Sequence, residues 1–564
     1  MPVTRSNRHI SLDFNQPSDV QPFNSLSSIH HPIRNNQSPF RCLFWLIGFC
    51  LCTALASSAG DVVTYHNDIG RSGQNLLETI LTTSNLNSST FGKLFTLPVD
   101  GIIDAEPLYL STVAIPNKGT HNVIYTVTEN DSVYAFDADT GAQLWHVSVL
   151  GSGESPSDDH GCGQISPQIG ITSTPAINRH LGPHGTIYVV AMSKNSSTYF
   201  QRIHALDITT GAEQFGGPVT VQAKYPGTGD NSHNGFVIFD PGQYAERAGL
   251  ILLNGVLYTG WTSHCDARPY TGWLIGYNAT TLAQTSVLDL TPNGSEGSIW
   301  QSGSGIASEG QNLYFLDANG TFDTTLNAQG FPSKGDFGNG FIKVSITSNQ
   351  LKVADYFNMF DTVNESDNDE DLGSGGVVIL PPMQDVNGTT RSLAIGAGKD
   401  GNIYIVDRNN MGKFNPSNDN AIYQELDGVL GGGEWATAAY FNGSMYYGPV
   451  GNNLMQFQFS KAKLSASPHS KSAASFTYPG TTPSVSANGS SNAIVWAIEH
   501  SDPNDVLHAY NATNLANELY NSSQASSQRD QFGTASHFGT PMIVNGKVYV
   551  GTTSNVTVFG LLAQ

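Results

Sequence analysis

The sequence predicts an all-β chain, an eight-bladed β-propeller whose ring is closed by an N-terminal strand. Three observations lead there. The stretch VIYTVTENDSVYAFDADTGAQLWHVSV, residues 123–149, reads as three strands; in the last, Trp145, Val147 and Val149 alternate with His146 and Ser148, the period of a half-buried strand. Asn130-Asp131 and residues 137–141 interrupt it, where Asx side chains and a glycine accept the backbone angles of tight turns. Units of this kind recur along the chain, and one alone cannot bury both its faces, so neighbours of the same kind must cover it. Composition agrees: 13% of residues are charged, 59 are glycine and 27 proline, which favours turn-dense β structure over helices.

Taken in order, the chain opens with a polar leader ending at Arg41, then the apolar run CLFWLIGFCLCTAL at residues 42–55. The run is short for a membrane span, and small residues follow it at Ala56, Ser57, Ser58 and Ala59. Residues 1–59 are expected to be a leader and secretory signal, making the protein secreted or periplasmic; an uncleaved signal that anchors it to a membrane is the alternative. Leu51 ahead of Cys52 does not fit a lipoprotein signal. Cleavage would remove Cys42, Cys50 and Cys52 and leave Cys162 and Cys265. Two cysteines in an oxidising compartment invite one disulfide.

Residues 60–564 then read as one propeller domain. Residues 91–99, FGKLFTLPV, form a lone strand pattern with no partner nearby. Units follow at 107–149, 174–221, 248–290, 305–357, 375–424, 435–464, 482–520 and 539–561. They are spaced by roughly sixty residues, above the ~40 to 45 of compact propeller repeats, so generous connecting loops are expected. The last unit is one strand short, and residues 91–99 are expected to supply it, leaving no exposed edge. A two-sheet sandwich or two separate β domains is the alternative architecture; eight similar units in tandem suit radial repetition better. Function in a propeller belongs on the rim where blade connections meet the loops between second and third strands. That rim should carry residues 155–168, 263–270, 319–323 and 368–371. Cys162 and Cys265 fall in two of these loops, so their disulfide is expected on the same rim.

The units AFDADTGAQLW and KDGNIYIVDRNN resemble the repeats of quinoprotein alcohol dehydrogenases, propellers that hold pyrroloquinoline quinone (PQQ) with calcium. The resemblance covers most of the chain after residue 91. It implies that Trp300, in GSIWQSG, forms the floor on which the quinone stacks, a role for a flat π face. It implies that Asn319, in LDANGTFD, ligates calcium through a hard carbonyl oxygen. Asp371, in DEDLGSGG, is similar to the family's general base beside the metal, and Lys399, in GKDGNIYIVDR, to the base's cationic partner at the cofactor. Each also has a structural reading: Trp300 as cover for a blade junction, Asn319 as a turn residue, Asp371 as part of a solvated acidic loop, Lys399 as hairpin decoration.

Two features depart from the family. The second-blade glutamate that binds calcium has no match where Ser196 and Thr198 stand, leaving Asp369, Glu370 or Glu106 as substitutes. The vicinal cysteine pair that caps the quinone is absent, and only Cys162 lies in a comparable loop.

Other chemistries are excluded or weaker. Acidic residues outnumber basic ones 46 to 25, and a net charge of −21 argues against nucleic acid as a partner. No CxxCH haem site, GxSxG elbow, HExxH or P-loop occurs. His160 and His264 lie near the two cysteines, which leaves a zinc or copper site beside the plain disulfide reading. Asn-x-Ser/Thr triplets, as at Asn195, Asn278, Asn442, Asn511 and Asn555, accept glycans in a eukaryotic secretory pathway. The expected function is a PQQ-dependent dehydrogenase of an alcohol, polyol or sugar, a monomer passing electrons to an external acceptor. The alternative is a non-catalytic propeller that binds a glycan or protein on its rim.

Overall fold

The computed structural model describes residues 60–501 and 503–563; the expected signal at residues 1–59 lies outside them. The described residues form one compact unit. The described residues are almost entirely β, with a single short α-helix at Thr362–Asp367, and no helix among them is long and apolar enough to cross a membrane. Eight sheets of four to six strands follow one another along the described chain, with two smaller ones inserted.

The unit at residues 123–149 shows why each sheet forms. Its strands Gly119–Thr128, Ser132–Asp137 and Gln143–Ser148 pair antiparallel behind a first strand, Leu108–Ile115. Ser132–Asp137 is buried throughout, as a central strand covered on both faces must be, while the outer strand alternates half-buried Trp145 and Val147 with exposed His146 and Ser148. The turn at residues 137–141 is held by the Asp137 carboxylate, which accepts from the backbone N–H of Asp139 and Thr140. Tyr125, Tyr134, Val189 and Ile208 then belong to one apolar cluster that spans neighbouring sheets.

Strand Phe91–Pro98 pairs antiparallel with Asn555–Leu561, so an N-terminal strand completes the four-stranded C-terminal sheet as the sequence predicts. One expected boundary moves: the sixth unit extends past residue 464 to Ser470–Phe476, which pairs with Asn452–Ser460. The inserted sheets, at Lys224–Ile238 and Met383–Arg391, account for part of the long spacing.

Residues 62–75 have no strand signature in the sequence, yet they tie the sheets together. Val62 exchanges hydrogen bonds with Tyr109, and the carbonyls of Val63, Ile69, Gly70, Ser72 and Gly73 accept from the backbone N–H of Ile177, Ser308, Ile379, Tyr440 and Val485. Arg71 donates to the carbonyls of Ile306 and Leu250, and Asn75 Nδ2 to that of Ile543. A strand of each of the eight sheets, or the residue just before one, is thereby bonded to this one segment.

Candidate functional site

Connections that lead into first strands, and loops between second and third strands, line a cavity of about 700 Å3. Trp300, Asn319, Asp371, Lys399, Cys162 and Cys265 all line it. They come from six different loops, so the fold rather than local sequence assembles the set.

Trp300 precedes the tight turn Gln301–Gly303, in which Gln301 and Ser302 hold positive φ of 43° and 51°. Such backbone costs of order 1–3 kcal/mol per residue and persists where surroundings enforce it. Here Leu316 N–H donates to Gln301 Oε1 (3.1 Å) and Ser302 Oγ to the Ser374 carbonyl (2.7 Å), which fixes the turn and the indole with it.

Asp371 opens the turn Leu372–Ser374, and the glycines after it explain the motif. A Cβ on Gly373 would lie 2.4 Å from the Ala318 nitrogen, and one on Gly375 2.0 Å from the Ala397 carbonyl oxygen. Only glycine lets this turn approach the backbone before Asn319 and Lys399 so closely. Leu372 N–H donates to Asn339 Oδ1 (2.7 Å) and Lys399 N–H to the Asp371 carbonyl (3.1 Å).

The side chains then meet. Lys399 Nζ lies 2.6 Å from Asp371 Oδ1 and 2.5 Å from Asp369 Oδ1, and 5.9 Å from the Trp300 ring. Trp300 Nε1 donates to Asp371 Oδ2 (3.1 Å), and Asn319 Nδ2 to Asp369 Oδ1 (3.2 Å). Burial pushes the Asp371 carboxyl above its ordinary range, with the Lys399 ammonium and the indole N–H opposing it. Burial pulls the Lys399 ammonium down, but its two carboxylate partners outweigh it and the net shift is upward. Asn319 Oδ1 is buried and accepts no hydrogen bond among the described residues. A buried hard oxygen without a donor is suited to a cation, and Asp369 and Glu370 stand on the same cavity wall. Glu106 does not line it: its carboxylate accepts from His66 N–H (2.6 Å) elsewhere in the core. Among the described residues no three His, Cys, Asp or Glu side chains are grouped to hold a metal by themselves.

Cys162 and Cys265, 103 residues apart, form the expected disulfide, with Cα atoms 5.5 Å apart. Beside it the rings of His160 and His264 stack at 3.9 Å. Burial, reinforced by His160, lowers the His264 imidazole to about 3, so it is neutral at physiological pH.

Sequence reasoning missed several residues on the cavity: Arg247, Trp435, Tyr478 and Phe538. Each stands alone in its own connection. Only Arg247 left a trace, as a charge entering a first strand in YAERAGL.

No family model matches the sequence, and no curated protein sequence matches it. Solved structures do. A quinohemoprotein alcohol dehydrogenase from Pseudomonas putida HK5 superposes with a TM-score of 0.57 at 13% identity, covering 90% of this chain and 81% of that one. The quinohemoprotein alcohol dehydrogenase from Comamonas testosteroni gives 0.57 at 14%, covering 89% and 80%. A europium-containing methanol dehydrogenase gives 0.55 at 12%, covering 89% and 98%. At these identities the likeness is one of fold, and the chain has the fold shared by the quinohemoprotein alcohol dehydrogenases and methanol dehydrogenase, whose repeats its own resemble.

Proposed function

We propose that this chain is a secreted quinoprotein-like dehydrogenase that oxidises an alcohol, polyol or sugar, with PQQ and calcium held in the 700 Å3 cavity. In this reading the eight sheets are blades of one ring, closed where residues 91–98 join the C-terminal sheet. The bonding of residues 62–75 to all eight sheets supports it. One observation carries the functional reading: an aromatic face, a buried base with its ammonium partner, and an orphaned amide oxygen stand on one cavity.

The residues present fit the cofactor pair. Trp300 offers the stacking face and the Cys162–Cys265 disulfide a second wall. Asn319 Oδ1 would ligate the cation, with Asp369 or Glu370 in place of the missing glutamate. When bound, PQQ supplies the hydride acceptor and calcium the charge that polarises it. Asp371 takes the substrate hydroxyl proton, and Lys399 holds that carboxylate ionised and oriented. With no CxxCH in the sequence, electrons leave to a separate acceptor.

The absence of a three-ligand metal group among the described residues favours a second reading, a relative that binds a glycan or protein at this cavity on the rim without chemistry. The test is reconstitution of the purified protein with PQQ and calcium, followed by reduction of an artificial dye with alcohols, polyols and sugars. Reduction that depends on PQQ and is lost in Asp371→Asn supports the dehydrogenase; bound PQQ with no turnover on any of them supports the binding module.

A further inference from the structure

Arg247 is 3% exposed and lines the cavity, yet neither Nη1 nor Nη2 finds an acceptor among the described residues. Its Cζ lies 4.9 Å from the centroid of the Phe538 ring. On another side is Gly303, at φ +88°, where an added Cβ would stand 3.4 Å from Cζ and Nη1. The guanidinium is therefore packed in place without a counter-ion.

Its neighbours do not supply one. Glu246 forms no ion pair or hydrogen bond with it, and burial pushes the Glu246 carboxyl well above the usual carboxylate range, with the Arg247 charge opposing. Lys399, the other cation on the cavity, is already matched by Asp369 and Asp371. A buried charge without a partner is strongly destabilising, so a guanidinium kept in this state is waiting for an anion.

The geometry points to a carboxylate-recognition site at Arg247: the molecule that fills this cavity presents a carboxylate to its Nη1 and Nη2. This deepens the reading of the same cavity and names a feature of its ligand. The planar fork of guanidinium donors matches a carboxylate through two parallel hydrogen bonds. A phosphate would also fit the fork, but it concentrates a double charge at one point, where Asp159, Asp266, Asp369, Glu370 and Asp371 on the same cavity oppose it, whereas a carboxylate brings a single charge to the guanidinium. The carboxylate belongs either to the quinone cofactor itself or to an acidic substrate, such as a hydroxy acid or uronate.

The experiment compares the full chain with Arg247→Met and Arg247→Lys. Each protein is titrated with PQQ and with its trimethyl ester by fluorescence quenching, and with galacturonate and galactose by thermal shift. If the cofactor supplies the carboxylate, PQQ binding weakens on the order of 30-fold or more in Arg247→Met, while the ester binds both proteins alike. If the substrate supplies it, galacturonate raises the Tm of the wild type and not of Arg247→Met, and galactose raises neither. The second outcome upholds the site even where PQQ does not bind and the dehydrogenase reading fails. Arg247→Lys keeps the charge and retains part of the effect, which separates lost recognition from lost fold. Equal behaviour of wild type and Arg247→Met toward every carboxylate probe, binding by neither included, overturns the site.

Discussion

Tyr478 donates a hydrogen bond to Gln164 Oε1 at 3.2 Å, across a sequence separation of 314 residues. Gln164 belongs to the loop that carries Cys162, and Tyr478 to the connection leading into the seventh sheet's first strand, Ser484–Asn488. The loop on the cavity is thus fastened at one point by a disulfide and at another by this bond. Tyr478 is 43% exposed, so the hydrogen bond is weak beside the covalent one.

Removing the disulfide should therefore loosen the cavity wall. In the chain-entropy model a loop of about one hundred residues is worth up to ~4 to 5 kcal/mol, so Cys162→Ser with Cys265→Ser should lower Tm clearly. Ligand binding should weaken as well, whereas Tyr478→Phe should leave Tm nearly unchanged. A double serine variant with wild-type Tm and binding would show that the loop is held by other contacts.

Asp371→Asn keeps the shape of the base and removes its function. Turnover of the reconstituted enzyme should fall by ~10²-fold or more while PQQ affinity is nearly retained. Equal loss of binding and turnover would instead make Asp371 a ligand-holding residue.

The Asp371–Lys399 pair also sets a pH dependence. The base works ionised, so the rate should rise with pH through the raised Asp371 pKa. Lys399 opposes that rise by stabilising the carboxylate; replacing it with Gln should move the acid limb to higher pH. An acid limb that stays in place in Lys399→Gln would assign it to another group.

A second titration concerns stability alone. Burial raises Glu106 from 4.5 to about 8, with the His66 N–H and the Arg71 charge opposing it. The native state then holds a proton that the unfolded chain has lost, so this group's contribution is complete below pH 4.5 and disappears as pH rises through about 8. Glu106→Gln should flatten the decline of Tm across that window. Parallel curves for the two proteins would contradict the assignment.

Much of the fold was legible because turn chemistry and period-two patterning repeat together, as in residues 123–149. The strand Ser470–Phe476 was not, since SKSAASF offers small and polar residues where an alternating apolar row was sought. Residues 62–75 left no trace for a different reason: they bond mostly through backbone carbonyls and N–H groups, with Arg71 and Asn75 adding side-chain bonds, and none of these imposes a side-chain period. In the cavity, Trp300, Asn319, Asp371 and Lys399 were found through resemblance to a family's motifs. Arg247, Tyr478 and Phe538 stand in three separate connections, and their convergence is a product of tertiary structure that no local pattern encodes.

The stacking face gives the most direct test of the central claim, that this cavity holds a planar quinone beside a cation. Equilibrium binding of PQQ to the purified protein, with calcium and with calcium chelated, measures it without requiring a substrate. The account predicts saturable binding to a single site, weakened by chelation, by Asn319→Ala through loss of the amide oxygen and by Trp300→Ala through loss of the aromatic face. Binding of PQQ that is absent, or indifferent to Trp300→Ala, Asn319→Ala and calcium alike, would contradict it.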